Sequence, residues 1–374
     1  MNAEPGRIAA AQDLFRSDDV LVRGVTGFGG SLCYVTFASY TDDRTLDRAG
    51  FGEDFFRARG IDAIHVLSRE NRWYQYPELP DALAAIARAT AGHERVIAYG
   101  SSMGGFAALR YGASCGATVG LALSPQYSVD PAVAPFDQRW ADDIARIAFL
   151  DDAALPTLAE QYIVYDPRDP YDRRHFGLFA QASPTHGVPI SFGGHPVGSY
   201  LIETDLMRPL LEAVEQGSFD PKSFARELRA RRRRSGHYFY NLAHRMPVHR
   251  PRQKVALARL AVETQPDNPL YRSQLGNALD VAGEFDEGHR VHQDAIAMSY
   301  SNMFQIHYLM LHHELRGDYD RAIAIGDQLI AENPDLPWLR LERKRARRKK
   351  RHATRIGRFG GWLGLDGVIE RWFY

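Results

Sequence analysis

The sequence predicts an α/β chain, a mostly parallel sheet with helices on both faces, followed by an all-α helical domain. Three observations carry this. Up to about residue 215, short β-rich runs alternate with helical stretches, as strands joined by crossover helices do. Beyond Pro221 the strand pattern stops, and Ala, Leu, Arg and Glu recur at helical period. The charge also divides there: residues 1–220 hold 18 Arg, no Lys and 29 acidic residues, and the remainder holds 28 basic and 17 acidic ones. A formal net charge of zero thus conceals balances of about −11 and +11. A chain of 374 residues is long enough for two domains.

Taken in order, the predicted strands are Val20–Thr26, Leu32–Ala38, Ala63–Leu67, Arg95–Tyr99, Val119–Leu123, Gln161–Tyr165 and Pro189–Phe192. Several are apolar on both faces, which suits a sheet covered on both sides. Asp81–Ala91, Met103–Tyr111 and Tyr200–Val214 read as helices. An aromatic and acidic insertion with Phe136, Trp140 and Phe149 lies between Pro125 and Leu155, and is expected to cap the sheet over residues 126–155. The expected division is 1–218 for the sheet domain, 219–350 for helical repeats and 351–374 for a basic and aromatic tail.

Composition excludes several classes. Two cysteines, Cys33 and Cys115, preclude a disulfide framework, and no metal-binding Cys spacing occurs. The polar, acidic start lacks the basic and apolar regions of a secretory leader, and no apolar run is long enough to span a bilayer, so the expected compartment is the cytoplasm. Basic runs at Arg231–Arg234 and Arg340–Arg355 are candidates for an anionic surface. No nucleic-acid-binding fold accompanies them, so no specific nucleic acid is expected. The tail residues Trp362, Leu363, Ile369, Trp372 and Phe373 are expected to pack on the last helix as a cap.

The strongest local signal is RVIAYGSSMGGFAAL, in which Gly100-Ser101-Ser102-Met103-Gly104 matches G-x-S-x-G between an apolar strand and a helical run. At a sharp strand-to-helix turn the nucleophile is held in a strained conformation, and the flanking glycines let neighbouring backbones pass close by. Such a turn projects the Ser102 hydroxyl at the carboxyl end of the sheet and aims the Met103 N–H at an incipient oxyanion. A serine hydroxyl is a weak nucleophile near neutral pH, so this reading demands an imidazole base and a carboxylate that orients it.

In this setting the motif resembles the nucleophile turn of α/β-hydrolases, and the resemblance extends over about residues 20–216. It implies the chain order serine, acid, histidine. VPISFGGHPVGSYL resembles the family's last strand and histidine loop, which makes His195 the base; His65, His93, His175 and His186 are expected to be satisfied or solvated. The acid should follow QYIVY, where the family's loop spacing favours Asp169, then Asp166, with Asp172 third as a residue of the next helix that caps it or pairs with Arg173 or Arg174. A second oxyanion donor would come from the backbone around Ala38, Ser39 and Tyr40, although the His-Gly pair common there in the family is absent. Trp73, Tyr74 and Tyr76 are candidates for the pocket wall or, equally, for packing anchors of their loop. The implied function is a serine hydrolase acting through an acyl-enzyme on an ester or thioester of a small or glycan-linked acyl group, or an acyltransferase with the same residues. Neither needs a metal or organic cofactor. The competing reading is a catalytically silent scaffold.

The helical part carries an internal repeat. Gly283, Phe285 and Asp286 recur 34 positions later as Gly317, Tyr319 and Asp320, and Pro266, Asp267 and Pro269 recur at twice that interval as Pro334, Asp335 and Pro337. With Leu275, Gly276 and Ala295 in one unit and Leu309 and Ala322 in the next, residues 236–337 resemble tetratricopeptide repeats. Met310, Gly288 and His292 depart from that pattern. The resemblance implies a protein partner.

Overall fold

The computed structural model describes residues 11–150, 155–299, 303–334 and 336–362. Leu363, Ile369, Trp372 and Phe373 of the expected cap lie outside the described residues. The chain divides into two compact units, Met1–Arg232 and Arg233–Tyr374.

The first unit is an eight-stranded sheet: β1 (Ala11–Arg16), β2 (Val20–Val25), β3 (Leu32–Phe37), β4 (Asp62–Ser68), β5 (Arg95–Ser101), β6 (Val119–Leu123), β7 (Glu160–Tyr165) and β8 (His186–Pro189). Its strand order is β1-β2-β4-β3-β5-β6-β7-β8. The β1/β2 and β2/β4 pairs are antiparallel, and all others are parallel. β4, β6 and most of β3 and β5 are buried, as the apolar runs require. β1 is an edge strand the sequence did not predict; it is mostly exposed and its register shifts between Asp13 and Phe15, so it carries no clear alternation. β8 lies earlier than expected because Gly193 N–H bonds back to Ile190 O (3.0 Å) and the chain turns out of the sheet after Pro189.

The α-helices among the described residues of this unit are α1 (Glu53–Arg59), α2 (Leu79–Thr90), α3 (Met103–Tyr111), α4 (Ala141–Ile144), α5 (Pro170–Ala182), α6 (Gly198–Glu203), α7 (Met207–Glu215) and α8 (Pro221–Arg231). Val35, Phe37, Ile64, Val66, Ala98, Ala122 and Ile163 of the sheet form one core with Met103, Phe106 and Ala107 of α3 and with Leu83 and Ile86 of α2. The single helix expected over 200–214 is broken in two around Asp205, which adopts φ 57°.

Among its described residues the second unit holds only helices: α9 (Gly236–His244), α10 (Pro251–Thr264), α11 (Pro269–Val281), α12 (Phe285–Ala297), α13 (Met303–Leu315), α14 (Tyr319–Glu332) and α15 (Pro337–Trp362). Each helix packs on the next in sequence. α11 and α13 begin 34 residues apart, at 269 and 303, as do α12 and α14, at 285 and 319. Gly283 and Gly317 close the corresponding turns at φ 80° and 83°, a conformation that favours glycine. The basic run Arg340–Arg355 lies within α15, and much of its charge is used within the unit. Arg345 and Lys349 bond Glu314 (3.1 and 2.6 Å), Arg343 pairs with Asp327, and Lys350 pairs with Asp320. No described helix is long and apolar enough to cross a membrane.

The sheet unit ends after Arg232, whereas the sequence places the break after residue 218. α8 packs against β8, with Phe224 and Leu228 buried. The Tyr200 hydroxyl donates to Leu228 O (3.2 Å), and the Phe219 ring stands edge-on to Tyr162. A chain ending at Arg232 is therefore expected to unfold cooperatively in denaturant. One ending at Ser218 should be less stable by roughly 3–5 kcal/mol, since burial of a Phe or Leu contributes about 1.5–3 kcal/mol. Equal stability of the two would show that α8 contributes nothing.

Candidate active site

The site is assembled around one turn. β5 lies between β3 and β6 at the centre of the sheet, and Ser102 follows it directly at φ 51° and ψ −117°, a region sparsely populated by residues with a side chain. Its N–H donates to Leu123 O of β6 (2.8 Å), and its carbonyl accepts Phe106 N–H (2.9 Å), the first turn of α3. The two glycines of the motif have separate steric reasons. A Cβ at Gly100 would overlap the Gly104 carbonyl, and a Cβ at Gly104 would overlap the carbonyl of Phe37 at the end of β3.

That approach presses the start of α3 against the loop after β3. Met103 is the first residue of α3, so its N–H has no acceptor within the helix. Ser39 and Tyr40 lie on the facing loop, where the Ser39 hydroxyl donates to Ser101 O (2.9 Å) and the Tyr74 hydroxyl donates to Ala38 O (2.8 Å). The structure thus brings together the two backbone segments expected around an oxyanion, the start of α3 and the 38–40 loop.

His195 lies on the loop between β8 and α6. Its Nε2 is 3.0 Å from Ser102 Oγ, and its Nδ1 is 2.7 Å from Asp172 Oδ1. With Nδ1–H donated to a carboxylate, the Nε2 lone pair faces the serine hydroxyl. Ser102 and Asp172 are 6% and 2% exposed and the His195 side chain keeps 14%, so the acid is enclosed while the serine and the imidazole keep some exposure. The remaining sheet-unit histidines are engaged elsewhere: His65 with Thr36, His93 with Asp62, His175 with Asp137, and His186 stacked on Tyr162.

The acid expected from the sequence is corrected. Asp169, ranked first, is the N-cap of α5, where its Oδ1 accepts Tyr171 N–H (2.9 Å) and Asp172 N–H (3.0 Å). Asp166, ranked second, is fully buried and accepts N–H groups of Arg168 (2.8 Å), Phe192 (3.2 Å) and Gly194 (3.0 Å). It joins the end of β7 to the histidine loop. Asp172, ranked third as a helix residue, points from the first turn of α5 at the imidazole. The signal was local: Asp169-Pro170 is a cap followed by a proline at the first helical position, which assigns Asp169 to the backbone.

One residue of the site, Gln126, escaped the sequence reading, and a second, Trp73, has another role than expected. Gln126, fully buried just beyond β6, donates Nε2–H to Ser102 Oγ (3.2 Å). Trp73 donates its indole N–H to Gln126 Oε1 (3.0 Å), which fixes the amide orientation. Trp73 was expected in a pocket wall; it is wholly buried and acts through Gln126, while Tyr74 and Tyr76 are buried packing residues. No motif marks Gln126.

Residues 126–150 of the insertion fold across this constellation. The Trp140 ring is 6.0 Å from that of His195 and 5.2 Å from that of Trp73. Arg139 lies over Trp140 (4.4 Å) and Tyr171 (4.3 Å) and pairs with Asp137 (2.7 Å). Burial raises the Asp137 carboxyl pKa, but bonds from Arg139 and His175 outweigh it and hold it well below the usual carboxylate range. A cleft of about 320 Å³ lined by Phe106, Leu109, Val129, Phe149 and Phe179 also lies under the insertion. Neither Ser102 nor His195 lines it, so a carbonyl within reach of Ser102 sits outside it.

Among known proteins, residues 20–259 match the sequence profile described as Alpha/beta hydrolase family. Two solved structures of the capsule O-acetyltransferase of Neisseria meningitidis serogroup A are similar in part. The one in complex with caged gadolinium is 14% identical with a TM-score of 0.37, covering 50% of this chain and 88% of that one. The other is 15% identical with a TM-score of 0.36, covering 50% and 89%. A search of curated proteins finds no match. With its elbow, its sheet order and a profile match over well more than half of its length, the chain belongs to the alpha/beta hydrolase family.

Proposed function

We propose that this chain transfers an acyl group from an ester or thioester through an acyl-enzyme on Ser102. The observation that carries the reading is the continuous line from Asp172 through His195 to a serine hydroxyl on a strained turn. Ser102 Oγ attacks the carbonyl carbon as its proton passes to His195 Nε2. Asp172 stabilises the imidazolium through Nδ1–H. Charge developing on the carbonyl oxygen is met by the Met103 N–H and by backbone N–H of Ser39 or Tyr40. His195 then returns the proton to the leaving oxygen or sulfur. In the second half-reaction it activates the acceptor, which is water in a hydrolase and a hydroxyl, including one on a glycan, in a transferase.

The helix pairs recurring at 34 residues support a tetratricopeptide reading of the second unit, with a protein partner as its corollary. The ion pairs of α15 weaken the case for an anionic surface, because the same charges already serve α13 and α14.

A fluorophosphonate probe is expected to label the wild type once per chain and to leave Ser102→Ala unlabelled. An unlabelled wild type, or an equally labelled Ser102→Ala, supports the silent-scaffold reading instead. Among the three aspartates, Asp172→Asn should lower kcat/KM for a short-chain ester by about 10³–10⁴-fold. Asp169→Asn should leave the rate near normal, because asparagine also caps a helix. A reversed order in ester assays would return the acid to the loop. Gln126→Leu should slow both labelling and turnover by about tenfold, the worth of one neutral hydrogen bond. Unchanged labelling would show that Gln126 only fills space.

A further inference from the structure

The helical unit contains a polar cluster in its interior that packing does not explain. Asp280 of α11 faces two imidazoles from two other helices. Its Oδ2 is 2.9 Å from His292 Nε2 of α12, and its Oδ1 is 2.6 Å from His312 Nδ1 of α13. Both histidines are fully buried, and Asp280 is 4% exposed. The far nitrogens, His292 Nδ1 and His312 Nε2, are buried with no hydrogen-bond partner among the described residues. A buried ring nitrogen left unpaired costs on the order of 1–3 kcal/mol. An ion shared with Asp280 would be met by the nitrogens that face it, so it is the convergence of two imidazoles on one buried carboxylate that points to a ligand.

The surrounding backbone is shaped to hold the cluster. A Cβ at Gly276 of α11 would stand 2.6 Å from the His292 ring, and a Cβ at Gly288 of α12 would overlap Asp280 Oδ1. Gly288 and His292 are two of the positions at which the chain leaves the repeat pattern. The irregularity of the repeat and the polar cluster are therefore one feature. His289 and His313, whose rings stand 5.2 Å from that of His312, are the nearest further nitrogen donors.

We propose that Asp280, His292 and His312 bind one divalent transition-metal ion, zinc above all, which ties α11, α12 and α13 together. One carboxylate oxygen and one nitrogen from each imidazole lie within 4.8 Å of one another. Ligand atoms on a tetrahedral ion with bonds of about 2.0–2.1 Å stand about 3.3 Å apart, so small side-chain shifts close the site. Two imidazoles with one carboxylate suit zinc, cobalt or nickel; calcium and magnesium take mainly oxygen ligands. Three helices contribute one ligand each, so the ion's binding energy stabilises their packing. The Asp62–His93 pair of the sheet unit offers no such set, because a single imidazole meets the carboxylate there.

The test uses the untagged full-length chain, stripped with a chelator and titrated with zinc against a chromophoric chelator. One equivalent per chain is expected to bind with Kd below about 1 μM, and cobalt should give visible ligand-field bands. His292→Gln and His312→Gln should each weaken zinc uptake by about 100-fold or more. His186→Gln, at an exposed histidine on β8, should bind as the wild type does. Should either ligand variant fail to fold by circular dichroism, the wild type decides alone: zinc is expected to raise its Tm by several degrees. A wild type that takes up no zinc at micromolar concentration, or ligand variants that bind normally, overturns the site and leaves a hydrogen-bonded histidine–aspartate cluster.

Discussion

Two backbones touch where α3 begins, and the site depends on that contact. With no side chain at Gly104, the first turn of α3 rests on the end of β3; with none at Gly100, the strand passes under the same turn. This closeness leaves Ser102 one route between strand and helix, through φ 51°. Strain of that kind costs on the order of 1–3 kcal/mol. It is offset nearby, because nearly all of α3 is buried and the Ser102 N–H is bonded to β6. The same contact brings the start of α3 against the 38–40 loop, where the Ser39 hydroxyl bonds Ser101 O.

What could be read in the sequence was whatever a few adjacent residues decide. The elbow is a local steric demand, so G-x-S-x-G located Ser102. The glycines before His195 likewise mark a loop that must turn sharply, and Gly194 does so at φ 69°. The acid was harder, because Asp166, Asp169 and Asp172 are alike in sequence and differ in what they meet: loop amides, helix-end amides and an imidazole. Gln126 was invisible. Its two bonds reach across 24 and 53 residues, to Ser102 and Trp73, and nothing beside it in the chain records either.

Charge misled where it reports surface rather than packing. The reversal near residue 220 is real, yet α8 lies beyond it and still belongs to the sheet unit, because Phe224 and Leu228 decide where the helix docks. In α15 the same charges also serve packing within the unit. A run of arginine and lysine reads as an address for an external anion, but its helical periodicity brings Arg343, Arg345, Lys349 and Lys350 onto acids of the two preceding helices.

Asp137, Asp172 and Asp280 each meet histidine in the same way, and the far nitrogen of the ring separates them. In His175 it accepts the Tyr127 N–H, so both ring positions are satisfied and the pair braces the insertion. In His195 it meets a serine hydroxyl, a group that can surrender a proton and form a covalent bond. Around Asp280 there are two imidazoles, and their far nitrogens meet no partner among the described residues. An orienting carboxylate is common to all three, so it cannot by itself mark a catalytic centre. The chemistry open to each pair follows from what the rest of the fold places at the other end of the ring.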